Sequence, residues 1–460
     1  MSVAAPSERG VAHVRSERWV PALATLLALL LVAAAAEVVI DGSAGLSPLI
    51  PKSPQIAGWL SGVGERLGYR VFLIALLVSS GAYLGLIVIA GRSGRVADGA
   101  DGAEPRYVGG VVSKRWAIAL VAALQLIVFA GPILISTDVF SYIAYARMAV
   151  EHGLNPYTHG PIAIHHDPIF RYVGRDWDRV ATAYGPLYTL LSYPLAPLGV
   201  VGALWGMKLE ALLASAGTLA LTWRCARARG LDPVLAILVL GANPLYALYA
   251  LGGAHNDLIM MLAMMAAVSL MVVGTPSRRR EAGAAMWVVA GALIKATVAV
   301  LLPFMILSKR SLAPVLGAAA AVALGAVIGY AAFGIHGIDV VAALNRDAAF
   351  VSSDSFATEI AHLLGKPGVF PVDHDLLKAA LVLIIVHLLW RTWRGYDWVA
   401  ASGWALLAIS VTSTWLLAWY ILWPLPLAVV TRDRRLLVAT LCVQALFVIH
   451  QTSPLLAPVQ

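Results

Sequence analysis

Long runs of uncharged apolar residues recur along almost the whole chain, from about residue 20 to residue 457. A helix needs about 20 such residues to cross the hydrocarbon core of a bilayer, where no water is present to satisfy irregular backbone. Charged residues make up only 13% of the 460 residues, whereas soluble chains carry about 25%. The sequence therefore predicts an all-α, polytopic integral-membrane protein in which residues 1–460 form a single domain.

The apolar runs predict eleven spans and one re-entrant helical hairpin, or thirteen membrane segments in total. The spans are expected near residues 20–40, 71–90, 116–136, 201–223, 234–250, 257–274, 312–333, 379–393, 398–415, 417–430 and 436–457. The hairpin is expected at 283–307, where Lys295 interrupts the run, and a single ordinary span is the alternative. The first run is expected to be a retained span, with a cleaved signal peptide as its alternative.

Most Lys and Arg residues fall in short clusters between the apolar runs, which predicts the orientation of the chain because basic loops stay in the cytoplasm. The N-terminus and residues 91–115 and 275–281 are then cytoplasmic. The long polar segments 137–200 and 334–378 become the first and second extracytoplasmic loops. Since the basic residues form no stripe, the formal net charge of +8 does not indicate nucleic-acid binding.

The first loop contains a candidate catalytic helix. Thr137 is a natural N-cap and Gly153 a natural stop, which predicts a helix over 138–152. Five polar side chains share one face of this helix: Asp138, Ser141, Tyr142, Tyr145 and His152. Three roles remain open for Asp138, namely a first-turn carboxylate that favours the helix dipole, an ion partner, or a general base.

Two further positions carry polar groups where the chain is otherwise apolar. Lys295 is expected at membrane depth, where a charge is costly and usually functional; snorkelling, or pairing with Glu210 or Asp257, is the alternative. The segment His255-Asn256-Asp257 opens a predicted span, so Asn256 either caps that helix or faces a ligand.

Other conspicuous residues favour structural interpretations. His165-His166-Asp167 is a poor metal site because consecutive loop residues rarely converge on one ion, so no metal is predicted. The alternating charges around Trp177 predict a salt-bridged loop surface, and Lys208 and Glu210 are expected to support each other. The aromatic group Trp415, Trp419, Tyr420 and Trp423 indicates an interfacial belt or a platform for a prenyl chain or sugar. No nucleotide or cofactor motif occurs, and no cofactor is expected.

Several short motifs follow one another in a fixed order. They are DVFSY at 138–142, GLNPY at 153–157, YGPL at 184–187, GGAHND at 252–257 and WPLP at 423–426. In order and spacing they resemble the motifs of actinobacterial polyprenyl-phosphomannose-dependent α-mannosyltransferases, integral-membrane glycosyltransferases of the GT-C fold that extend lipomannan cores. Where many related GT-C enzymes carry two adjacent acidic residues, Asp138 stands between Thr137 and Val139.

The resemblance implies that a hexose, expected to be mannose, moves from a polyprenyl-phosphate donor to an extracytoplasmic glycolipid or lipoglycan acceptor with inversion. It implies a bacterial plasma membrane and Asp138 as the catalytic base. Donor and phosphate binding is expected from Lys295, His255, Asn256 and Asp257. Sugar or acceptor binding is expected from Ser141, Tyr142, Tyr145, Asn155, Tyr157, Tyr184 and Tyr420.

A secondary transporter or flippase for a lipid-linked sugar is the alternative function. Transporters usually bind their substrate at the bilayer midplane between internal repeats. No internal repeat is visible in this sequence, and its polar motifs cluster toward the predicted outer face. These features favour the enzyme.

Overall fold

A computed structural model describes residues 8–44, 68–93, 96–97, 106–107 and 112–455. Within these residues the regular secondary structure is almost entirely helical, which confirms the all-α prediction. The strands in this part of the chain are β1 (Val96–Ala97) and β2 (Arg106–Tyr107), a short antiparallel pair. The rest of the predicted cytoplasmic segment up to residue 111 lies outside the described residues.

Helices make up both halves of the described chain. Those that precede Lys295 are α1 (Glu8–Ser43), α2 (Tyr69–Ser93), α3 (Lys114–Ala130), α4 (Asp138–Val150), α5 (Pro186–Ser192), α6 (Gly199–Ala228), α7 (Pro233–Gly241), α8 (Asp257–Val272) and α9 (Arg278–Ala292). Those that follow it are α10 (Leu301–Lys309), α11 (Ala313–Phe333), α12 (Val340–Asp347), α13 (Phe356–Leu363), α14 (Pro371–Trp393), α15 (Trp398–Thr412), α16 (Leu425–Ala428) and α17 (Arg434–Thr452).

Five helical stretches among the described residues are long and apolar enough to cross a membrane. They are Trp19–Ser43, Tyr69–Gly91, Pro186–Ala228, Ala313–Asp347 and Arg434–Leu455. Three shorter apolar helical stretches are Asp257–Val272, Ala296–Lys309 and Trp398–Thr412. The chain therefore has the helices of a membrane protein, whereas the total of thirteen membrane segments stays a prediction.

Two of the predicted spans are wrong as continuous helices. In 234–250, α7 ends at Gly241, and the Asn243 side chain accepts hydrogen bonds from the backbone N–H groups of Leu245 and Tyr246 (3.0 and 3.2 Å), which turns the chain into a π-helical segment, Tyr246–Leu251. In 417–430, only a 3₁₀ turn at Tyr420–Leu422 and the short α16 are helical, because prolines remove backbone donors there. Both segments are buried in the protein, where irregular backbone is tolerated at membrane depth.

The predicted hairpin at 283–307 is interrupted where the sequence places its lysine. Helix α9 ends at Ala292, and a 3₁₀ turn over Ala296–Val300 leads into α10. Lys295 is the extended residue between them, with φ −145° and ψ 118°. The break exposes backbone groups that another segment can bind, whereas the entry and exit of both halves on one membrane side stays a prediction.

The expected mutual support of Lys208 and Glu210 is also wrong. The Lys208 ammonium donates a hydrogen bond to the Gly131 carbonyl at the end of α3 and lies over the Trp205 ring, 4.3 Å from its centroid. Residues 208 and 210 are two apart on α6, and helical neighbours two apart do not face each other.

Candidate active site

A cavity of about 910 Å³ lies beside the N-terminus of α4. Its walls come from the polar segment 137–200, the Lys295 break, α12 of the polar segment 334–378, and the irregular segment that follows α15. Its size is in the range of about 300–1,000 Å³ that is typical of ligand sites. Five of the predicted site residues line it: Asp138, Tyr145, Tyr184, Lys295 and Tyr420.

Asp138 is the first residue of α4, and its position is fixed by hydrogen bonds in the turn that precedes the helix. Its N–H donates to Ser136 Oγ (3.1 Å). Thr137 occupies the N-cap position as predicted, although its side chain makes no capping hydrogen bond. The preceding turn contains Ile135 with φ 69°, an unfavourable conformation for a β-branched residue. This turn is pinned by the Leu134 N–H, which donates to the Gly252 carbonyl (2.9 Å).

The Asp138 carboxylate is mostly enclosed, with 21% of its side chain exposed. Burial raises its pKa to about 6, although the positive charge of Lys295 and the hydrogen bond with Ser136 act in the opposite direction. No Lys or Arg side chain within the described residues forms a salt bridge with it. Asp138 is therefore a carboxylate that binds a proton unusually well and faces a cavity.

His255 lies directly behind Asp138. Its Nδ1 is 3.6 Å from Asp138 Oδ2 and 3.5 Å from the Tyr142 hydroxyl, and its ring stacks on Trp419 with centroids 3.5 Å apart. Burial, together with the charge of Lys295, lowers the pKa of His255 well below its ordinary value, so the ring is neutral. A Cβ on Gly253 would come within 2.5 Å of His255 Nε2, which explains why a glycine precedes this ring.

Lys295 and Asp257 form an ion pair in the wall of the cavity. Lys295 Nζ lies 2.8 Å from Asp257 Oδ1, and Trp423 Nε1 donates to the same oxygen (2.6 Å). The ammonium also lies over the Tyr420 ring, 4.3 Å from its centroid, a cation–π contact. Of the structural alternatives considered for Lys295, snorkelling or pairing with Glu210 or Asp257, the structure therefore shows pairing with Asp257.

The YGPL motif explains why the break at Lys295 is stable. The N–H groups of Gly185 and Leu187 donate to the carbonyls of Ile294 (3.2 Å) and Leu293 (3.0 Å), which satisfies the backbone of the broken helix. A Cβ at Gly185 would lie 2.1 Å from the Leu293 carbonyl oxygen, so only glycine permits this approach. The motif therefore places both Tyr184 and Lys295 at the cavity.

Several predicted binding residues do not reach the cavity. His255 and Asp257 are 0% exposed and Asn256 is 1% exposed, which corrects the expectation that they contact the donor. Asn256 does not cap α8 with its side chain, and both of its polar side-chain atoms lack a hydrogen-bond partner. These three residues support the cavity wall from behind.

The same correction applies to part of the sugar-binding set. Ser141 and Tyr142 are buried, and Tyr142 packs edge-on against Tyr184, with ring centroids 4.7 Å apart. Asn155 donates to the Phe333 carbonyl (2.9 Å), and the Tyr157 hydroxyl donates to the Tyr184 carbonyl (2.8 Å), so both fix the loop. Tyr145 lines the cavity while its hydroxyl donates to the Val180 carbonyl (2.8 Å).

Other residues line the cavity that the sequence did not single out as site residues. Arg175 and Trp177, assigned to a loop surface, face it together with Asp347 and Asp354 from the polar segment 334–378. Trp415 packs edge-on against Phe350 (5.4 Å) and Trp177 (6.2 Å), which joins the polar segments 137–200 and 334–378. Trp419 and Trp423 are buried, so the belt interpretation is wrong for them. The sequence signal that could have identified these cavity residues was the density of aromatic residues in the two polar segments.

Metal ligands are not assembled in the described part of the chain, where no group of three or more His, Cys, Asp or Glu side chains could hold an ion. Asp167, from the His165-His166-Asp167 segment, instead accepts hydrogen bonds from Arg147 (2.9 Å) and pairs with His152 (2.8 Å). His152 therefore belongs to this ion pair and not to the cavity.

Known proteins resemble this chain over most of its length. The family model described as alpha-(1->6)-mannopyranosyltransferase, N-terminal domain, matches residues 22–310, and the MptB C-terminal domain model matches residues 369–454. No solved structure matches the chain.

Two curated relatives are named alpha-(1->6)-mannopyranosyltransferase A. The protein from Mycobacterium tuberculosis is 27% identical over 347 residues, which are 68% of this chain and 66% of that protein. The protein from Corynebacterium glutamicum is 32% identical over 212 residues, which are 45% of this chain and 40% of that protein. The matched stretches thus span less than two thirds of the relatives' own lengths. Because the first family model alone covers more than half of the chain, the chain belongs to the alpha-(1->6)-mannopyranosyltransferase family.

Proposed function

We propose that this protein is a membrane mannosyltransferase that transfers mannose from a polyprenyl-phosphate donor to a glycolipid or lipoglycan acceptor outside the cytoplasm. The observation that carries the proposal is the enclosed Asp138 carboxylate, which faces a 910 Å³ cavity with Lys295 and aromatic rings in the same walls. Family membership supplies the sugar and the class of reaction.

Asp138 is the general base in this proposal. A sugar on a lipid phosphate already has a good leaving group, so the protein must position the acceptor hydroxyl, take its proton and stabilise the phosphate. The acceptor oxygen forms a bond to the anomeric carbon, the bond from that carbon to the phosphate oxygen breaks, and the proton moves to Asp138. Displacement from the opposite face converts a β-linked donor into an α-linked product in one step. A carboxylate with a pKa of about 6 is well matched to this task near neutral pH.

Lys295 is the proposed partner of the departing phosphate. An ammonium has three hydrogen-bond donors, and the pair with Asp257 leaves part of it open, since 16% of the side chain is exposed at the cavity. Asp257 and Trp423 hold the ammonium in place, so it does not have to reorganise when negative charge develops. Arg175 lies in the outer wall of the same cavity and adds a second cation.

The aromatic rings are the proposed sugar platform. Tyr184, Tyr420, Trp177 and Trp415 line the cavity, and aromatic faces pack against the C–H surfaces of sugars while polar groups bind the hydroxyls. The second outer segment, 334–378, supplies Asp347 and Asp354 to the cavity and is the proposed acceptor side.

The proposed compartment can be tested by cysteine labelling from outside intact cells. Ala163 and Ala228 are both exposed and lie on opposite predicted sides of the membrane. In a background in which the exposed Cys442 is replaced by serine, Ala163→Cys should react with an impermeant reagent and Ala228→Cys should not. The reverse pattern would place the cavity in the cytoplasm.

The activity itself is tested with purified protein, polyprenyl-phosphomannose and candidate glycolipid acceptors. Mass spectrometry should detect one additional hexose on an acceptor, and nuclear magnetic resonance of the product should show an α linkage. Absence of transfer to every acceptor, from protein that is folded and carries the intact cavity, would reject the proposal.

A further inference from the structure

A hollow of about 400 Å³ lies on the surface of the helical body, between α14 and α15. We call it the α14–α15 groove, and it is lined by Leu383, Ile384, His387, Leu388, Arg391 and Trp404. Its leucine and isoleucine side chains come from the middle of α14, whereas Arg391 lies in the last turn of that helix. The groove is therefore apolar along most of its length and cationic at one end.

The cationic end of the groove lies far from the cavity of the candidate active site. Helix α14 has 23 residues, so its two ends are about 33 Å apart at 1.5 Å per residue. Near its N-terminal end, His374 Nδ1 lies 3.4 Å from the hydroxyl of Thr414, which precedes Trp415 of the cavity wall. Just beyond its C-terminal end, Asp397 pairs with Arg229 (2.6 Å), in a basic cluster that predicts the cytoplasmic side. The groove is therefore separate from the catalytic chemistry.

A single carboxylate fixes both walls of the cationic end. Asp433 accepts a hydrogen bond from Trp404 Nε1 (2.9 Å) and another from the Tyr396 hydroxyl. The Arg391 guanidinium lies over the Tyr396 ring, 3.9 Å from its centroid. Two backbone N–H groups at the start of α17 also donate to Asp433. Asp433 therefore holds the Trp404 ring and the ring beneath Arg391, while its own oxygens are occupied by these donors.

The positive charge at this end is not neutralised within the part of the chain that the structure describes. No carboxylate there lies within salt-bridge distance of Arg310, Arg391 or Arg394. Arg394 lies over the Trp390 ring (5.3 Å), and Arg310 donates to the Trp393 carbonyl (2.8 Å), so three arginines meet at the end of α14. The helix dipole favours cations at this position, but it does not explain the apolar groove that continues from them along the helix.

A ligand with an anionic head and a hydrocarbon chain matches this arrangement. We infer that the α14–α15 groove binds an anionic phospholipid, with its phosphate at Arg391 and one acyl chain along Ile384 and Leu388. These residues are three or four apart in sequence, so the sites for head and chain follow each other on one face of α14. A guanidinium that is held in place binds phosphate through charge-assisted hydrogen bonds, and basic pockets between membrane helices are typical sites for anionic lipids. The exposed His387, one turn from Arg391, supplies a further donor for the head group.

The test measures lipid binding to the purified full-length protein by native mass spectrometry, which resolves each bound lipid. Phosphatidylglycerol should bind about tenfold more tightly than phosphatidylcholine with the same acyl chains, because a charged hydrogen bond to Arg391 is not opposed by a choline cation. Arg391→Gln should remove this preference. Arg224→Gln is the matched control, since Arg224 is an exposed arginine on α6, at the same predicted side, and does not line the groove. It should bind both lipids as the wild type does.

Equal binding of the two lipids to the wild type would overturn the site. An equal loss in Arg391→Gln and Arg224→Gln would also overturn it, because the overall charge of that face would then account for the binding. Glycerophosphoglycerol and inorganic phosphate, which lack acyl chains, should not displace the lipid; displacement by either would assign the arginines to a soluble anion.

A second variant guards against a folding defect in Arg391→Gln. His387→Leu places an apolar side chain at a position that is already exposed on α14 and leaves the contact between Arg391 and Tyr396 in place. It should weaken the binding of phosphatidylglycerol more than that of phosphatidylcholine, with no change in thermal stability. Wild-type binding of phosphatidylglycerol by folded Arg391→Gln and His387→Leu would show that the groove holds bulk lipid.

Discussion

A carboxylate lies beside each end of α4, and the two have opposite surroundings: Asp138 is the first residue of the helix, whereas Asp167 comes from the loop that follows it. At the N-terminal end, Asp138 faces the cavity without a salt-bridged Lys or Arg among the described residues. At the C-terminal end, Asp167 is 2% exposed, is bound through two nitrogens of Arg147, and pairs with His152. One end of α4 therefore lies beside a carboxylate that lacks a strong partner, and the other end lies beside one that is fully partnered.

The difference is visible in the pKa of each group. Burial raises the pKa of Asp138 to about 6 because nearby charges and hydrogen bonds do not compensate for lost hydration. Burial acts on Asp167 in the same direction, but hydrogen bonds from Arg147, His152 and the Ile169 backbone outweigh it and hold its pKa below the ordinary value. A buried carboxylate without a Lys or Arg partner costs folding free energy. Because Asp138 does not stabilise the fold, its position favours a functional role.

The largest expected effect is on turnover by Asp138→Asn. The amide preserves the shape of the side chain but cannot accept a proton, so kcat should fall by about 10²–10⁴-fold while donor binding survives. Turnover and donor affinity are measured on the same preparation. A variant that keeps more than about a tenth of wild-type turnover would remove the base assignment.

Asp167→Asn should have the reverse profile. It leaves the Arg147 guanidinium partly buried without its carboxylate, which we expect to lower the free energy of unfolding by about 3 kcal/mol. Turnover per folded molecule should stay near the wild-type value, because Asp167 does not line the cavity. Thermal unfolding in detergent, combined with activity normalised to folded protein, separates the two quantities; a loss of kcat at unchanged stability would break the comparison.

The sequence contained enough information to predict the class of the protein and its main carboxylate. Apolar runs and basic clusters act over short distances, so they indicate helices without tertiary information. Asp138 could be found because a charged residue stands out at the edge of an apolar run, and Lys295 because one stands out in the middle of such a run. The YGPL motif was noticed, but its function as the partner of the broken helix depends on Leu293 and Ile294, more than 100 residues away.

The irregular segments were the part that the sequence could not predict. An apolar run in a helix and an apolar run in buried irregular backbone can have the same composition, so 417–430 was mistaken for a span. The sequence also could not predict how deeply each residue is buried. His255, Asn256 and Asp257 follow a pair of glycines, as ligand-binding residues often do, yet they are buried behind the cavity wall. Arg175 and Trp177 were missed because their cavity is closed by α12 and by Trp415 from distant parts of the chain.

Substitution of Lys295 should have a smaller effect on activity than substitution of Asp138. It extends the comparison to a third carboxylate, Asp257, which is the ion-pair partner of Lys295. Lys295→Ala should lower kcat/KM for the lipid donor by about tenfold or more, because the phosphate loses a cation in a low-dielectric site. It also leaves Asp257 buried and unpaired. The double variant Lys295→Ala with Asp257→Asn should recover stability but not activity. Recovery of both would make the ion pair purely structural.

The smallest expected effect is a gain in the free energy of unfolding of Asp138→Asn. This variant should stabilise the fold, whereas Asp167→Asn should destabilise it. Because the folded-state pKa of Asp138 is raised from 3.8 to about 6, the folded protein binds this proton more tightly than the unfolded chain does, and stability falls as the pH rises from about 4 to 6. Asp138→Asn removes that cost, which has an upper limit of about 3 kcal/mol, but it buries an amide that also loses hydration, so we expect a net gain of about 1 kcal/mol at pH 7. The gain should vanish below pH 3.8, where the wild-type carboxyl is protonated in both states.

Asp167 has a lowered pKa, so its contribution to the free energy of unfolding is present above pH 3.8 and is lost only as the pH falls further. Unfolding free energies of the wild type and both variants between pH 3 and pH 8 measure this directly, and an Asp138→Asn protein that is less stable than the wild type at pH 7 would show that the Asp138 charge stabilises the fold.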